Sequence, residues 1–374
     1  MFEPGYASQR ARVRWAAIMV VVVATACAAS AASGSLIGPL NTVTSLGTTV
    51  PGNGDQNPYG VAQVPVSIGN LVQGHILISN FNNSANQQGT GTTIMDVDPN
   101  AMTIAQFAAI DASSLPGACP GGVGLTTALV VLRTGWVIVG SLPTTNGMAA
   151  TANAGCLLVL NNQGQVVETF AGAPINGPWD MTALDAGSLV ELFFTNVLNG
   201  TVAANGKVVH RATVVRFLLS VSSSQMPTLL LSTIIGSGFP ARTDPNALVI
   251  GPTGLALDAF GQNLYVNDSL SNRIAAIKNP AFRHSTAGRG RTISIGGFLN
   301  DPLGLTLAPN GDVIAANGND GNLVEVTPSG KQVAKKLVDS TGSPPGAGTL
   351  FGLTSLPGQV LFVDDGNNTF NVLH

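Results

Sequence analysis

Charged residues are scarce in this chain, making up only 9% of its 374 residues, and the formal net charge is −3. Soluble domains ordinarily carry about 25% charged residues, so most of the surface must consist of Asn, Thr, Ser, Gln and Gly. Because the chain has no excess of positive charge that would attract phosphate groups, we expect no nucleic-acid partner. Hydrophobic residues reach 45%, which allows a large core and argues against a disordered chain.

Histidine and the common catalytic motifs are also lacking. The four histidines, none of them in the H-x-H or H-E-x-x-H spacing of metalloenzymes, are His75, His210, His284 and His374. The chain has neither the G-x-S-x-G elbow of a serine hydrolase nor a P-loop. The sequence therefore predicts no catalytic residue.

The first 26 residues have the features of an export signal. Three arginines precede the apolar segment 15–26, and Ala24-Thr25-Ala26 fits the small-x-small rule of signal peptidase. We predict a signal peptide over 1–26, or an uncleaved anchor, since uncharged residues continue to Ala32. The protein is then exported to the periplasm, the extracellular space or the cell envelope, and it contacts a membrane only through this segment or a lipid anchor.

The three cysteines extend this interpretation. Cys27 follows Ala24-Thr25-Ala26 as in a bacterial lipobox, although Ala24 stands where Leu or Val is usual, so lipidation of Cys27 is an alternative. Cys119 and Cys156 are an even pair, which in an exported protein suggests a disulfide; two buried free thiols are the other interpretation. Residues 27–39 are rich in Ser, Ala and Gly and are predicted to form a flexible tether.

One unit recurs along the rest of the chain. In residues 251–274, a Pro-x-Gly opening starts a short apolar strand, an Asp/Gly turn follows, and a second strand ends in Asn or Asp before a third. Short strands separated by turn signals indicate antiparallel β structure. Similar openings have their third residue at positions 60, 124, 180, 254, 304 and 352. The shorter intervals suit a four-stranded propeller blade of about 40–50 residues, and the longer ones predict loop insertions at 199–208 and 236–250.

Six openings predict an all-β, six-bladed β-propeller over residues 40–374. The last blade begins near Gly348 and has room for only three strands before His374. An open blade edge would expose unpaired backbone groups. We therefore predict that a strand at 42–47 closes the last blade from the amino-terminal side.

The repeat resembles the NHL-repeat family of six-bladed propellers. The openings Pro58-Tyr-Gly-Val61 and Pro252-Thr-Gly-Leu255 match the family's first strand, and 264–269 and 361–368 match its second strand and turn. More distantly, the chain is similar to the gluconolactonase/SMP-30-like propellers. A fold of this kind hosts many chemistries, so the resemblance implies an architecture more strongly than a function.

The lactonase resemblance implies where metal ligands would stand. In those propellers an Asn or Asp beside the channel mouth directly precedes Gly-Leu. Here the corresponding positions are mainly apolar or aromatic, namely Tyr59, Val123, Trp179, Thr253, Leu303 and Phe351. They form either a hydrophobic funnel for a ligand or a plug that seals the axis. Asp180, next to Trp179, is the only carboxylate beside them.

A second set of six residues ends the second strand of each blade. Its members are Asn80, Ser141, Asn196, Asn267, Asn317 and Asp364. They could supply oxygen ligands to Ca²⁺, or they could cap the following turn. Capping is favoured, because only Asp364 is a carboxylate.

These observations predict a non-catalytic binding or scaffold propeller of the cell envelope that needs no cofactor. Its apolar and aromatic channel mouth, Tyr59, Trp179, Thr253, Leu303 and Phe351, would bind a protein, a peptide or a small apolar ligand. The alternative is a divergent hydrolase or lyase of the lactonase type, whose central Ca²⁺ would be held by Asp180, Asn196, Asn267 and Asp364. A structural or adhesive role in a surface layer is a third hypothesis, compatible with the low charge.

Overall fold

The computed structural model describes residues 34–374, so the predicted signal peptide, the lipidation site Cys27 and the start of the tether lie outside the described residues. The described chain is an all-β propeller of six antiparallel blades. It begins with β1 (Val43–Thr48). Blade one contains β2 (Gln56–Gln63), β3 (Ile76–Asn82), β4 (Thr93–Asp98) and β5 (Thr103–Ala109). Blade two contains β6 (Leu125–Val131), β7 (Val137–Ser141), β8 (Cys156–Leu160) and β9 (Val166–Ala171).

The remaining blades follow in chain order. Blade three contains β10 (Pro178–Asp185), β11 (Leu189–Asn196), β12 (Val209–Ser220), β13 (Thr228–Asp244) and β14 (Leu248–Ile250). Blade four contains β15 (Pro252–Leu257), β16 (Asn263–Asp268), β17 (Arg273–Lys278) and β18 (Arg291–Ile295). Blade five contains β19 (Pro302–Leu307), β20 (Val313–Asn317), β21 (Asn322–Val326) and β22 (Gln332–Leu337). Blade six contains β23 (Leu350–Leu356), β24 (Gln359–Asp364) and β25 (Thr369–Leu373). Three single-turn 3₁₀ segments lie in connections, at Ala149–Thr151, Ser269–Ser271 and Pro280–Phe282.

The inner strands meet around the axis, and a glycine in the openings of blades one, four, five and six makes this contact close. The strands β2, β6, β10, β15, β19 and β23 contact their neighbours in that order, and β23 contacts β2. A side chain at Gly304 would collide with the carbonyl oxygen of Phe351, and one at Gly352 with the carbonyl oxygen of Tyr59. Glycine is therefore required where one inner strand crosses the next, because only glycine allows such close backbone approach.

The outer strand of blade six comes from the start of the described chain. β1 pairs antiparallel with β25, with Val43 opposite Leu373 and Thr48 opposite Thr369, and a register shift between Ser45 and Gly47. The sheet order is β1-β25-β24-β23. The edge of β25 that would otherwise expose backbone groups is thereby paired.

Residues 34–39 differ from the flexible tether predicted for 27–39. The carboxylate of Glu325 accepts hydrogen bonds from the N–H groups of Leu36 and Ile37, at 2.7 and 2.9 Å, and from the hydroxyl of Ser35. Ile37 is fully buried. Residues 34–39 are ordered because the fully buried carboxylate of Glu325 in blade five requires hydrogen-bond donors, and this segment supplies three.

Blade three departs from the predicted insertions in one place. Residues 199–208 form the expected turns, but 236–250 is mostly strand, because β13 runs on to Asp244 and pairs with β14. Phe239 and Ala241 are fully buried on this extension, and that burial keeps the segment in a sheet. Over residues 34–374, no helix is both long enough and apolar enough to span a membrane.

Candidate functional site

The residues that open the inner strands meet on the axis and pack against one another. The ring centroids of Tyr59 and Phe351 are 3.8 Å apart and stacked, and that of Trp179 lies 6.4 and 6.3 Å from them. These three side chains are at most 2% exposed, and Thr253 and Leu303 are equally buried. We call Tyr59, Trp179, Thr253, Leu303 and Phe351 the plug.

The channel mouth predicted to bind a ligand at these residues is closed: of the two interpretations, a funnel and a plug, their packing has the form of the plug. The plug belongs to one buried cluster with Ala247–Ile250, the hairpin segment around β14. In addition, the side chain of Gln88 in blade one bonds the carbonyl of Pro245 in this hairpin, at 2.8 Å. Stacked aromatic rings that exclude water stabilise the protein more than rings that face it, so the sequence position that suggested a funnel forms a seal.

Two of the residues predicted as metal ligands make side-chain hydrogen bonds to other segments of the chain, although the Oδ1 of Asn267 has no partner among the described residues. The side-chain oxygen of Asn196 accepts from the N–H of Asn176, and its amide donates to the carbonyl of Pro174, both at 2.9 Å. Asn267 donates to the carbonyl of Leu303 at 3.2 Å, in the neighbouring blade. The bonds of Asn196 reach the connection that leads into β10, and that of Asn267 reaches the inner strand β19 of blade five. In these bonds neither side chain caps the turn that follows its own strand, so they are not the predicted capping.

The other two predicted ligands do not complete a cation site. The carboxylate of Asp364 accepts from the backbone N–H and the side-chain amide of Asn367, at 3.1 and 2.8 Å. Asp180 instead lines a different space along the axis. Ca²⁺ takes six to eight oxygen ligands, and within residues 34–374 no three His, Cys, Asp or Glu side chains come together as a metal site. Asp180, Asn196, Asn267 and Asp364 therefore do not fit a central Ca²⁺.

A cavity of about 310 Å³ lies on the axis beyond the plug, in the direction in which the inner strands run. We call it the axial cavity. All six inner strands line it with residues at or beyond the third position of each opening, and the lining residues at the far end of the strands range from buried Thr354 and Ser355 to exposed Gln63. Its polar or charged lining includes Gln63, Thr127, Asp180, Thr182, Asp185, Thr306, Thr354 and Ser355.

Asp180 is the acidic group at the plug end of this cavity. Its side chain is 7% exposed, and its Oδ2 accepts a hydrogen bond of 2.7 Å from the N–H of Leu255 in blade four. Burial raises the pKa of the Asp180 carboxyl to about 8, although hydrogen bonds from the N–H groups of Leu255 and Met181 lower that pKa. Such a group exchanges protons near neutral pH, as acid–base catalysts do.

Thr127 is a second notable lining residue, and the sequence analysis did not find it. Its hydroxyl is buried and has no hydrogen-bond partner among the described residues. Buried polar groups are rarely left unpaired, so the hydroxyl is free to bond a molecule in the cavity. Gln63, in contrast, is already hydrogen-bonded within the protein, since its amide donates to the hydroxyl of Thr354 at 2.6 Å. Nothing in the repeat pattern marks Thr127, because blade two matches the repeat poorly.

The two remaining cysteines lie away from both regions of the axis. A disulfide joins Cys119, in the connection before β6, to Cys156, the first residue of β8. Cys156 is fully buried in the cluster between blades one and two. The bond ties the connection that leads into the second inner strand to the third strand of the same blade.

No family model matches the sequence, and no curated protein matches it. Solved structures do match the fold. A gluconolactonase from Xanthomonas campestris is 13% identical, with 88% of each chain covered and a TM-score of 0.54. Regucalcin from Agrobacterium tumefaciens, a calcium-binding protein, is 11% identical, with 90% of this chain and 94% of that chain covered and a TM-score of 0.54. PQQ-bound aldose sugar dehydrogenase from Streptomyces coelicolor is 15% identical, with 90% and 99% covered and a TM-score of 0.54.

Identities this low establish the fold alone, and the fold is the one predicted. The chain is similar to gluconolactonase-like six-bladed propellers. Two of the three similar structures are named for catalysis, which contradicts our main prediction of a non-catalytic binding or scaffold propeller. The buried plug is the physical reason for the correction, because it removes the apolar surface on which that prediction rested. The chain is thus an all-β, six-bladed propeller with the architecture of the gluconolactonase-like structures.

Proposed function

We propose that this protein is a hydrolase of the lactonase type that acts in the axial cavity, with Asp180 as its acid–base group. The observation that carries the proposal is the placement of the Asp180 carboxyl. It is buried against the plug, faces the axial cavity, and has a pKa raised to about 8 by burial. A base with a pKa near the working pH is well matched to general acid–base catalysis.

In the proposed reaction, Asp180 first accepts a proton from water and later donates it to the leaving oxygen. The ionised carboxylate takes a proton from a water molecule whose oxygen forms a bond to the lactone carbonyl carbon. The hydroxyl of Thr127 donates a hydrogen bond to the oxyanion that develops there. When the ring C–O bond breaks, Asp180 returns the proton to the leaving ring oxygen, and the product is a hydroxy acid.

The size and polarity of the cavity define the substrate class. Small-molecule sites usually have volumes of roughly 300–1,000 Å³, and the axial cavity, at about 310 Å³, is at the lower end of that range. Among residues 34–374, no Lys, Arg or His lines the cavity, so none of these side chains pairs with an anionic substrate there. We therefore propose a small, uncharged, single-ring lactone with hydroxyl groups as the substrate.

This proposal keeps the catalytic alternative of the sequence analysis but not its central Ca²⁺. The similar regucalcin is a calcium-binding protein, whereas the four predicted ligands here do not share one space, because Asp180 lines the axial cavity and the other three do not. We further propose that the repeats are of the NHL type and that the protein is exported. The Cys119–Cys156 disulfide supports export, because disulfides persist mainly in oxidising compartments.

The test is hydrolysis of a panel of small lactones by the wild type and by Asp180→Asn. We expect the substitution to lower kcat/KM by about 10²–10⁴-fold, the range for loss of an acid–base group. The wild-type rate should rise with pH and level off above about pH 8 as Asp180 ionises. Asp301→Asn is the matched control, because the pKa of Asp301 is also raised, to about 6, but Asp301 lies outside the axial cavity.

Two results would contradict the proposal. Asp180→Asn could hydrolyse the lactones as fast as the wild type, or activity could depend on Ca²⁺, so that a chelator abolishes it and added Ca²⁺ restores it. We expect the chelated protein to retain its rate, since the donor set on the axis does not fit the ion.

A further inference from the structure

A second cavity lies at the plugged end of the propeller, between blades one and six. Its volume is about 350 Å³. Asn57 and Asn86 of blade one line one side. The connection from β22 to β23 contributes Thr349, and the turn between β24 and β25 contributes Asp365 and Asn368. We call this space the inter-blade cavity.

Asp365 is unusual among the acidic residues around this cavity, because it is only 8% exposed and yet none of the described residues donates a hydrogen bond to its carboxylate. The adjacent Asp364 is satisfied by Asn367, at 3.1 and 2.8 Å, and Asp339 is satisfied by Thr341, at 3.0 and 2.9 Å. A buried carboxylate without a partner is costly, so Asp365 requires an explanation that its neighbours do not.

A second unpartnered polar group lies close to Asp365. The phenol hydroxyl of Tyr59 is buried in the plug without a hydrogen-bond partner among the described residues. Burial raises the pKa of Tyr59, and the negative charges of Asp365 and Asp244 raise it further. An unpaired donor and an unpaired acceptor therefore lie in the same region of the plugged end.

The charge and the size of the inter-blade cavity favour an organic cation as its ligand. In the part of the chain that the structure describes, no Lys, Arg or His lines this cavity, so none of these side chains serves as a counter-ion to Asp365 there. A volume of about 350 Å³ is far larger than a bare metal ion needs, and a single free carboxylate falls short of the six to eight oxygen ligands of Ca²⁺. A primary ammonium group satisfies one carboxylate with charge-assisted hydrogen bonds, and its carbon chain occupies the remaining space.

We propose that the inter-blade cavity binds a small organic ammonium ion, whose charge pairs with the carboxylate of Asp365. The site is separate from the axial cavity, so the proposal does not depend on hydrolysis at Asp180. Binding is coupled to a proton. Burial, and then the charge of Asp364, hold the pKa of Asp365 well above its usual range, whereas an ammonium ion pairs with the ionised carboxylate, so binding favours loss of the carboxyl proton.

The test is calorimetric titration of the full chain with n-butylammonium chloride. We expect Asp365→Asn to weaken binding by about 10-fold or more, the effect of losing a charge-assisted hydrogen bond. Asp111→Asn, a change in an exposed turn on the outside of blade one, should leave the affinity unchanged. The neutral analogue 1-butanol should bind weakly or not at all.

Measuring the affinity for n-butylammonium at several pH values distinguishes binding at Asp365 from a purely structural role of this residue, which would leave the affinity independent of its ionisation. Affinity should increase with pH, with proton release on binding, because Asp365 must ionise while Asp364, Asp339 and Tyr59 face the same region. Asp365→Asn should fold with unchanged thermal stability or better, since it removes only a carboxyl that lacks a partner. Equal binding of 1-butanol, unchanged affinity in Asp365→Asn, or Asp365-dependent binding of Ca²⁺ in place of the amine would each overturn the proposal.

Discussion

The two ends of the propeller axis are built from the same six strands and have opposite characters. At the start of the strands, aromatic and apolar side chains stack into a plug that is at most 2% exposed. A few residues further along the same strands, hydroxyl, amide and carboxyl groups surround the axial cavity. The change from plug to cavity occurs between Trp179 and Asp180, which are consecutive residues of β10. Side chains alternate along a strand, so neighbouring residues can serve a core and a site.

The comparison between the two ends predicts its largest effect on stability when one aromatic ring of the plug is removed. We expect Phe351→Ala to lower the free energy of unfolding by about 3–5 kcal/mol, the usual cost of truncating a buried aromatic residue. Phe351 is fully buried and stacks on Tyr59. Chemical denaturation measures the change.

Phe260→Ala is the control for the plug, because Phe260 is 83% exposed in a turn of blade four and should change stability by less than about 0.5 kcal/mol. A plug variant as stable as this control would show that the plugged end is not part of the core.

The next effect is the pH dependence of stability that arises from Asp180. Its pKa is raised to about 8 when folded, whereas the unfolded chain should titrate near 3.9. The unfolded state therefore binds fewer protons between these values. The stabilising contribution of the protonated carboxyl is complete below about pH 4 and declines as pH rises to about 8, by up to roughly 1.4 kcal/mol per pH unit.

Asp180→Asn isolates this contribution, because asparagine does not titrate. The variant should be more stable than the wild type at pH 8, with a difference that shrinks towards pH 4, even though it is expected to be inactive. Denaturation curves at four pH values measure the difference. A difference that stays constant with pH would mean that Asp180 has an ordinary pKa, which would remove the main support for its role in catalysis.

The smallest effect concerns the unpartnered hydroxyl of Thr127. We expect Thr127→Val to lower kcat/KM for a lactone by about 10²-fold, within the range for loss of one hydrogen bond to a developing charge. Stability should remain within about 1 kcal/mol, because the hydroxyl bonds nothing in the protein.

Thr134→Val is the matched control for Thr127. Its hydroxyl is also buried without a partner, but Thr134 does not line the axial cavity. If both variants lost activity equally, the effect could not be assigned to the cavity, and the role of Thr127 as an oxyanion donor would be wrong.

Much of the fold could be predicted because its signals are local. The Pro-x-Gly openings, the short apolar strands and the turn residues recur within each blade, and the register shift near each opening is a property of the same few residues. The prediction was less accurate where a distant partner decides the outcome. Residues 34–39 are ordered because Glu325 is buried about 290 positions away, and no local pattern indicates that requirement.

The candidate site was only partly accessible to sequence reasoning. Asp180 was identified because it is the one carboxylate beside the openings, but it was assigned to a metal shared with Asn196, Asn267 and Asp364. Thr127 was missed, since it lies in a degenerate repeat. The plug residues were grouped on the axis, with a plug and an open funnel both left as interpretations, because a sequence does not state whether a ring of aromatic residues closes on itself.

The sequence by itself determined the number of blades and the positions at which each inner strand begins. The physical reason is that turn chemistry and strand alternation act over a few residues. Only the tertiary structure decided that Tyr59, Trp179 and Phe351 seal the axis and that the carboxyl of Asp180 is buried in the cavity beyond them. Those outcomes depend on side chains from separate blades meeting at one point, where stacking excludes water and burial shifts a pKa.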